Sequence, residues 1–178
     1  IIICGLVLVM GCQRNVYRFS EGSVYGTVYH VSYQSEIDYA VEIRQEMERV
    51  NQSLSMFNKN SVIARWNRGE SEQVDSLFVV MYEKAREVNE VTGGAFDVTV
   101  APLVNAWGFG FKNEKLPSDE KIDSLLQYVG MDKVQLDGER LVKQVERVQM
   151  DASSIAKGLG VDLVAEFFDR KGVQNYMI

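Results

Sequence analysis

An acidic residue, two hydroxyls and a lysine lie close together near the start of a predicted helix. They are Asp151, Ser153, Ser154 and Lys157. The apolar residues that follow recur at helix spacing, so a helix is predicted over residues 154–171. We expect Asp151 or Ser153 to cap its start and Gly172 to end it. Several side chains that can take part in chemistry therefore belong to one helix start.

This helix start has the properties of an anion-binding site. Backbone N–H groups without partners point out of a first helical turn, and phosphate is the anion that they most often bind. Lys157 adds a compact positive charge, and Gly158 and Gly160 allow a ligand to approach closely. The alternative interpretation is an ordinary capped helix with a surface lysine.

The composition is that of a globular protein. The chain has 178 residues, 46% hydrophobic and 25% charged, enough for one domain or a large part of one. Its net charge is −6, and it has no block rich in lysine or arginine. Nucleic acid is therefore not an expected partner. The sequence also contains no Walker-type loop and no cysteine–histidine cluster with metal spacing.

The N-terminus has the pattern of a targeting segment. Residues 1–10 are nearly all apolar and uncharged, and they are too few to span a bilayer, which needs about 20 residues. Gly11 and Cys12 follow, and this pattern resembles a bacterial lipobox with a lipidated cysteine. We expect a signal-peptide remnant over residues 1–11, a lipidated Cys12 with a tether over residues 12–20, and anchoring on the exported side of a bacterial cell membrane. The alternative is a buried strand that ends in a chance Gly-Cys pair.

The rest of the sequence alternates between strand and helix patterns. A strand or a hairpin is predicted within residues 17–33 around Gly26, and a hairpin is predicted over residues 134–150. Amphipathic or short capped helices are predicted over residues 37–54, 61–67, 75–91 and 118–129. We therefore predict an α+β domain over residues 21–178, with helices packed on a mixed or antiparallel sheet and with an incomplete C-terminal part.

Two further segments could face a ligand. Residues 94–102 combine Phe96, Asp97 and a strand-like run, which is typical of a ligand-binding turn. Residues 103–111 interleave aromatic residues with glycines, which could stack on a flat ring, but we favour a core position for them. His30, the only histidine of the sequence, lies in a predicted strand and is interpreted as structural.

Four segments, in order and at fitting distances, resemble the ApbE family of FAD:protein FMN transferases. They are Tyr-Gly-Thr-Val-Tyr at residues 25–29, Leu-Ser-Met-Phe-Asn-Lys-Asn-Ser at residues 54–61 with Asn67, the stretch of residues 93–104 with Trp107-Gly108-Phe109, and the stretch of residues 151–162. No single segment is decisive, but together they span residues 25–162. The resemblance implies the α+β fold and the activity of that family.

The resemblance also implies roles for individual residues. Those expected to contact FAD are Tyr25, Phe57, Ala95, Phe96, Asp97, Asp151 and Lys157. Ser154 would offer an oxygen, expected to be its carbonyl, to Mg²⁺. Two of these residues depart from the family pattern, since Tyr25 replaces a methionine and Phe57 replaces a tyrosine. Phe57 keeps the aromatic ring and lacks the hydroxyl.

The activity implied by the resemblance is the Mg²⁺-dependent transfer of FMN from FAD to a threonine or serine hydroxyl of an acceptor protein, with release of AMP. Membrane redox-pump subunits and secreted flavoproteins are the expected acceptors. The family takes its remaining Mg²⁺ ligands and a catalytic histidine from a C-terminal segment beyond residue 178. The catalytic residues are therefore unknown from this sequence, and the fragment alone is expected to be inactive.

Two alternatives stay open. One is a lipoprotein that binds or hydrolyses FAD without modifying proteins, for which the departure at Phe57 leaves room. The other is a lipid-anchored binding protein without chemistry, which predicts no affinity for FAD.

Overall fold

The computed structural model describes residues 16–109 and 116–178. Its strands are β1 (Tyr17–Val24), β2 (Thr27–Gln34), β3 (Val134–Asp137), β4 (Arg140–Lys143) and β5 (Tyr176–Met177). Its helices are α1 (Ala40–Leu54), α2 (Val62–Asn67), α3 (Ser76–Val91), α4 (Ala101–Ala106), α5 (Asp119–Leu126) and α6 (Ser153–Lys171), with a 3₁₀ helix at Met131–Lys133. The predicted α+β class is confirmed, and the strand pairs of both described sheets are antiparallel.

The first sheet has the order β1-β2-β5, with β2 in the centre. β1 and β2 pair along their whole length, from Tyr17 opposite Gln34 to Val24 opposite Thr27. In β2, Val31 and Tyr33 are buried and their neighbours are less so. This alternation is what a strand needs when one face of its sheet lies on a core.

Two hydrophobic clusters stabilise the described part of the chain. The first lies between the β1-β2-β5 sheet and helices α1 and α6, where the rings of Tyr33 and Phe168 have centroids 5.1 Å apart. The second is formed by α2, α3, the β3-β4 hairpin and the segment before α6. Tyr25, at the tip of the β1-β2 hairpin, packs against both clusters. The tip of this hairpin therefore lies where the two clusters meet.

The short helix α2 is held rigidly in the second cluster. Trp66 is buried, and its indole Nε1 donates a hydrogen bond to Leu141 O at 2.7 Å. At the other end of the helix, Ser61 is the N-cap, and its Oγ accepts a hydrogen bond from Ala64 N at 3.1 Å. Because both ends are fixed, α2 links the loop before it to the β3-β4 hairpin.

Several element boundaries differ from the predictions. α1 begins at Ala40 rather than at residue 37, because Asp38 Oδ1 accepts hydrogen bonds from Ala40 N and from the Tyr33 hydroxyl, both at 3.0 Å. A side chain bonded to the backbone in this way starts a helix instead of continuing one. α5 ends at Leu126 rather than at residue 129, and β4 ends at Lys143 before the chain turns away from β3.

Residues 98–109 differ most from the predictions. The strand-like run forms a single bridge between Val100 and Gln149 and then becomes α4, which has Pro102 in its first turn, where a missing N–H is harmless. Phe109 is 81% exposed and Trp107 is 44% exposed, so the core position predicted for this aromatic segment is wrong for both. Residues 110 and 111 of the same segment lie outside the described residues.

The predicted signal-peptide remnant and Cys12 also lie outside the described residues. β1 begins at Tyr17, so residues 17–20 of the predicted tether are part of the sheet. Within residues 16–109 and 116–178, no helix combines the length and the apolar character needed to cross a membrane.

Candidate functional site

α6 begins with a helix start that is only partly capped. Ala152 is in the N-cap position and offers no side-chain oxygen. Asp151 Oδ1 instead accepts a hydrogen bond from Ser153 N at 2.8 Å, so the prediction that Asp151 or Ser153 is the N-cap is wrong by one residue. Gly172 ends the helix at a φ of 72°, as predicted. Ser153 and Ser154 are exposed at the start of α6.

Lys157 lies one turn further along α6, and its side chain is exposed. Its Nζ is 3.4 Å from Ser153 O, so the ammonium group lies over the first turn of the helix. Among the ion pairs formed by the described residues, none involves Lys157. A helix start and an ammonium group without a carboxylate partner together attract an anion.

A groove of about 110 Å³, here called the Lys157 groove, opens beside this helix start. α6 contributes Ser153 and Lys157, the β1-β2 hairpin contributes Tyr25, and the loop between α1 and α2 contributes Phe57. A second groove of about 300 Å³, lined mainly by residues of β2 and α6, shares Tyr25 and Lys157 with the first. The structure therefore brings Tyr25, Phe57 and Lys157 together although they are far apart in sequence.

Tyr25 is held in place by a strained turn and by its hydroxyl. It has a φ of 55° and Gly26 has a φ of 73°, so the hairpin turn requires a left-handed conformation at a residue that rarely adopts one. The Tyr25 hydroxyl donates a hydrogen bond to Met47 O at 2.6 Å. Burial, and then the charge of Glu48, raises the pKa of Tyr25, so the hydroxyl remains a donor.

Gly160 is the residue that lets Tyr25 reach this position. A Cβ at Gly160 would lie 2.8 Å from the Tyr25 hydroxyl oxygen, which is too close for unbonded atoms. A Cβ at Gly158 would meet no atom within 4 Å. At Gly160 the group that approaches closely is thus a tyrosine of the same chain rather than the expected ligand, whereas the space at Gly158 is open.

Phe57 lies in a loop that is fixed at its base. Ser55 Oγ accepts hydrogen bonds from Phe57 N and Asn58 N, both at 3.2 Å, and Ser61 Oγ donates a hydrogen bond to Ser55 O at 2.7 Å. The Phe57 side chain is 68% exposed at the edge of the Lys157 groove. A ring in this position can pack against a ligand that enters the groove.

The turn at Ala95, Phe96 and Asp97 is ordered by internal hydrogen bonds. Asp97 Oδ1 accepts hydrogen bonds from Thr99 N at 2.7 Å and from Thr99 Oγ1 at 2.6 Å, and Thr99 Oγ1 accepts one from Gly130 N at 2.6 Å. One oxygen of the Asp97 carboxylate is therefore used within the turn. None of these three turn residues lines the Lys157 groove.

A backbone contact joins this turn to the start of α6. Asp151 N donates a hydrogen bond to Val98 O at 2.7 Å, and Gln149 pairs with Val100 in a parallel bridge. The segments that carry Asp97 and Asp151 are thus neighbours rather than on opposite sides of the domain.

The described residues offer oxygen donors near the helix start but no complete metal site. Mg²⁺ prefers oxygen ligands, and Ser154 is exposed in the first turn of α6. Among the described residues, however, no group of three or more histidine, cysteine or acidic side chains could hold a metal ion. The residues present therefore fit one part of a Mg²⁺ site, and the other ligands would have to come from elsewhere.

Residues 25–178 match the ApbE family. The chain is 32% identical over 99% of its length to the FAD:protein FMN transferase of Vibrio cholerae, and 36% identical over 94% of its length to the protein of the same name from Haemophilus influenzae. It covers 56% and 54% of these two proteins, so it spans about half the length of the curated relatives that it matches.

Solved structures give the same result. The flavin transferase ApbE from Vibrio cholerae superposes with a TM-score of 0.83 at 32% identity, over 92% of this chain and 56% of that one. The apo form of the flavinyl transferase ApbE from Pseudomonas stutzeri superposes with a TM-score of 0.84 at 30% identity, over 94% of this chain and 56% of that one. The resemblance predicted from four sequence segments is confirmed.

Proposed function

Because the chain belongs to the ApbE family, we propose that the protein of which it forms part is an FAD:protein FMN transferase. The observation that carries the proposal is the Lys157 groove, where a cation and a helix start face an aromatic ring. FAD has a pyrophosphate between two flat ring systems. The cation and the helix start can bind the pyrophosphate, and the aromatic ring can pack against a flat ring system. In this proposal Tyr25, Phe57 and Lys157 line the FAD site, and Asp151 and the turn at Ala95, Phe96 and Asp97 complete it.

The reaction proposed is a phosphoryl-type transfer. The hydroxyl oxygen of a threonine or serine on the acceptor protein forms a bond to the phosphorus on the FMN side of the pyrophosphate. The bond from that phosphorus to the bridging oxygen breaks, and AMP leaves with the electron pair. Lys157 and the start of α6 would bind the negative charge of the pyrophosphate and orient it. The base that takes the hydroxyl proton is not assigned among the described residues.

The proposal includes Mg²⁺ as a partner of the pyrophosphate. When bound, the ion would neutralise phosphate charge and increase the electrophilic character of the phosphorus. Ser154 is the residue of this chain that we assign to it. The remaining ligands are proposed to lie in the part of the protein that corresponds to the rest of the relatives' length.

The acceptor is proposed to be a membrane redox-pump subunit or a secreted flavoprotein. Full-length protein would be incubated with FAD, with and without Mg²⁺ and with and without such an acceptor, while AMP release and acceptor-bound flavin are both measured. Transfer predicts AMP and flavinylated acceptor in equal amounts. AMP without flavinylated acceptor would instead favour the FAD-hydrolysing alternative, which the missing hydroxyl of Phe57 motivates. No binding of FAD in a fluorescence titration would favour a non-enzymatic protein.

The location proposed for the protein is the exported face of a bacterial cell membrane, with Cys12 as the lipidated residue. The sequence pattern of residues 1–12 supports this proposal. Cys12→Ala should move the protein from the membrane fraction to the soluble exported fraction, as measured by fractionation and immunoblotting. Unchanged membrane association of the variant would contradict the lipobox interpretation.

A further inference from the structure

The side chain of Asn67, the last residue of α2, satisfies both backbone groups of a single residue. Its Nδ2 donates a hydrogen bond to Met150 O at 2.8 Å, and its Oδ1 accepts one from Met150 N at 2.8 Å. Met150 directly precedes Asp151, and its side chain is fully buried. Nothing in the function proposed above uses Asn67, although it is part of a segment that resembles the family.

Met150 needs these two bonds because it lies outside every described strand. A buried backbone N–H and C=O must find partners, and in a sheet a neighbouring strand supplies them. Here one side of the segment is bonded to Val98 O through Asp151 N, and the other side has the Asn67 amide. An asparagine amide has one acceptor and one donor arranged like a peptide group, so it replaces the missing strand.

The support behind this amide is rigid. The neighbouring Trp66 is buried, and the backbone oxygen of Asn67 accepts a hydrogen bond from Lys143 Nζ at 3.1 Å. Asn67 Nδ2 is also 3.9 Å from Met56 Sδ, and Met56 lines the Lys157 groove next to Phe57. The amide therefore stands between the two walls of the groove, the Phe57 loop and the start of α6.

We propose that Asn67 is a positioning residue for FAD binding: its amide fixes the Met150–Asp151 backbone, and with it the start of α6, relative to the Phe57 loop. This inference rests on the proposed function, because the ligand is the FAD pyrophosphate held at that helix start. Asn67 itself need not touch FAD. Displacing the helix start by a fraction of an ångström would misplace Lys157 and the first-turn N–H groups together.

The test uses the full-length protein with Asn67→Asp and Asn67→Ala. At pH 7.5 the aspartate carboxylate places an oxygen opposite Met150 O and has no donor, so FAD affinity should fall about tenfold. A protonated carboxyl, in contrast, can donate to Met150 O while accepting from Met150 N, and lowering the pH to 5.0 favours this form. The affinity of Asn67→Asp relative to the parent protein should then recover to within about threefold, whereas Asn67→Ala should stay about tenfold weaker at both pH values.

Two control variants separate positioning from general stability. Tyr82→Phe removes a buried hydrogen bond to Val134 O, 3.2 Å long, at a residue that does not line the Lys157 groove, and should lower the melting temperature without changing FAD affinity. Asn175→Asp repeats the chemical change at an exposed asparagine that bonds Gln34, and should show no pH-dependent change in FAD affinity. Hydrogen exchange of the backbone amides of residues 150–154 should accelerate in Asn67→Ala without any ligand.

The outcomes are distinct. Recovery of Asn67→Asp at pH 5.0 together with persistent loss in Asn67→Ala supports the proposal. If both Asn67 variants melt lower but bind FAD as the parent does, Asn67 serves stability alone and the positioning role is overturned. If both variants lose the same FAD affinity at both pH values, the hydrogen bonds of the Asn67 amide are not the cause of the loss, and the proposal is overturned. If the parent protein does not bind FAD, the proposed function itself is overturned. Faster hydrogen exchange at residues 150–154 in Asn67→Ala would then still show that the Asn67 amide fixes the Met150–Asp151 backbone.

Discussion

The two halves of α6 are built for different purposes. The first half, from Ser153 to Gly160, carries two serines, two glycines and an exposed lysine, and its N-cap residue makes no side-chain hydrogen bond. The second half buries Leu163, Val164, Phe167 and Phe168. It ends at Gly172, with basic residues in its last turn that suit the helix dipole.

The difference indicates how one helix can be stable and still present an incompletely capped end. The apolar side chains of the first half, Ile155, Ala156 and Leu159, are only partly buried against the core. The buried apolar side chains of α6 lie in its second half, where Phe168 contacts Tyr33 and Tyr176 with ring centroids 5.1 Å and 5.0 Å away. Helix formation is cooperative, so this anchor also maintains the first turns. The exposed side of the first half, with Ser153, Ser154 and Lys157, can then serve a ligand.

The largest effect is expected from removing the Phe168 ring, which anchors the second half of α6. Phe168→Ala should lower the free energy of unfolding by about 3–5 kcal/mol, because a fully buried ring leaves a cavity between the sheet and α6. Denaturant unfolding of the full-length protein measures this loss. Glu166→Ala on the exposed side of the same helix is the control and should stay within about 0.5 kcal/mol of the parent.

The same variant also tests how far the two halves are separable. Below its melting temperature, Phe168→Ala should bind FAD within about threefold of the parent. A factor of three corresponds to less than 1 kcal/mol of binding free energy. Loss of FAD binding by a variant that is still folded would mean that the second half of α6 directly determines the geometry of the ligand site. The proposed separation of the two halves would then be wrong.

The second prediction concerns the lysines at the two ends of the helix. Lys157→Ala should weaken FAD binding and FMN transfer roughly ten- to hundred-fold, the usual cost of losing a charge-assisted hydrogen bond. Lys157→Arg should rescue only in part, because a planar guanidinium does not replace a compact ammonium. Flavin fluorescence titrations measure the affinities, and thermal melts exclude unfolding.

Lys171→Ala provides the matched control at the opposite end. Lys171 Nζ lies 5.7 Å from the Phe167 ring centroid, so its removal should cost a little stability and leave FAD affinity unchanged. Equal FAD affinity for the parent and Lys157→Ala would contradict the assignment of the pyrophosphate to this helix start.

Sequence patterns predicted the helices and the first hairpin well, because their signals are local. Periodic apolar residues identified α1, α3 and α6, and Gly172 and Ser118 identified a helix end and a helix start. Sequence patterns failed where contacts between distant parts of the chain determine the local structure. β4 stops early because the chain turns toward Met150, and α4 forms where Val100 pairs only once with Gln149.

Three of the predicted site residues, Tyr25, Phe57 and Lys157, line one groove, but the geometry of this groove could not be predicted from the sequence. Nothing local indicates that Gly160 serves Tyr25, or that the Asn67 amide bonds Met150 across the fold. The positive φ of Tyr25 could not be predicted from the sequence either, because tyrosine rarely adopts a positive φ. Such contacts join residues far apart in the chain, and a single sequence carries no record of them.

The smallest expected effect separates the two glycines of the first half of α6. Gly158→Ala should stabilise the protein by about 0.5–1 kcal/mol, because alanine favours the helix and its Cβ meets nothing within 4 Å. Gly160→Ala gains the same propensity but places a Cβ 2.8 Å from the Tyr25 hydroxyl oxygen. Overpacking typically costs about 1–3 kcal/mol, so a net destabilisation of about 1 kcal/mol is expected.

A double-mutant cycle gives this last prediction its decisive form. In a Tyr25→Ala background the clash at Gly160 is gone, so Gly160→Ala should become stabilising, like Gly158→Ala in the parent. Both would be measured by denaturant unfolding. If Gly160→Ala destabilised the protein equally with and without the tyrosine ring, its cost would come from the helix backbone or another neighbour. Gly160 would then be unrelated to the hairpin tip, and Tyr25 would reach the groove without help from α6.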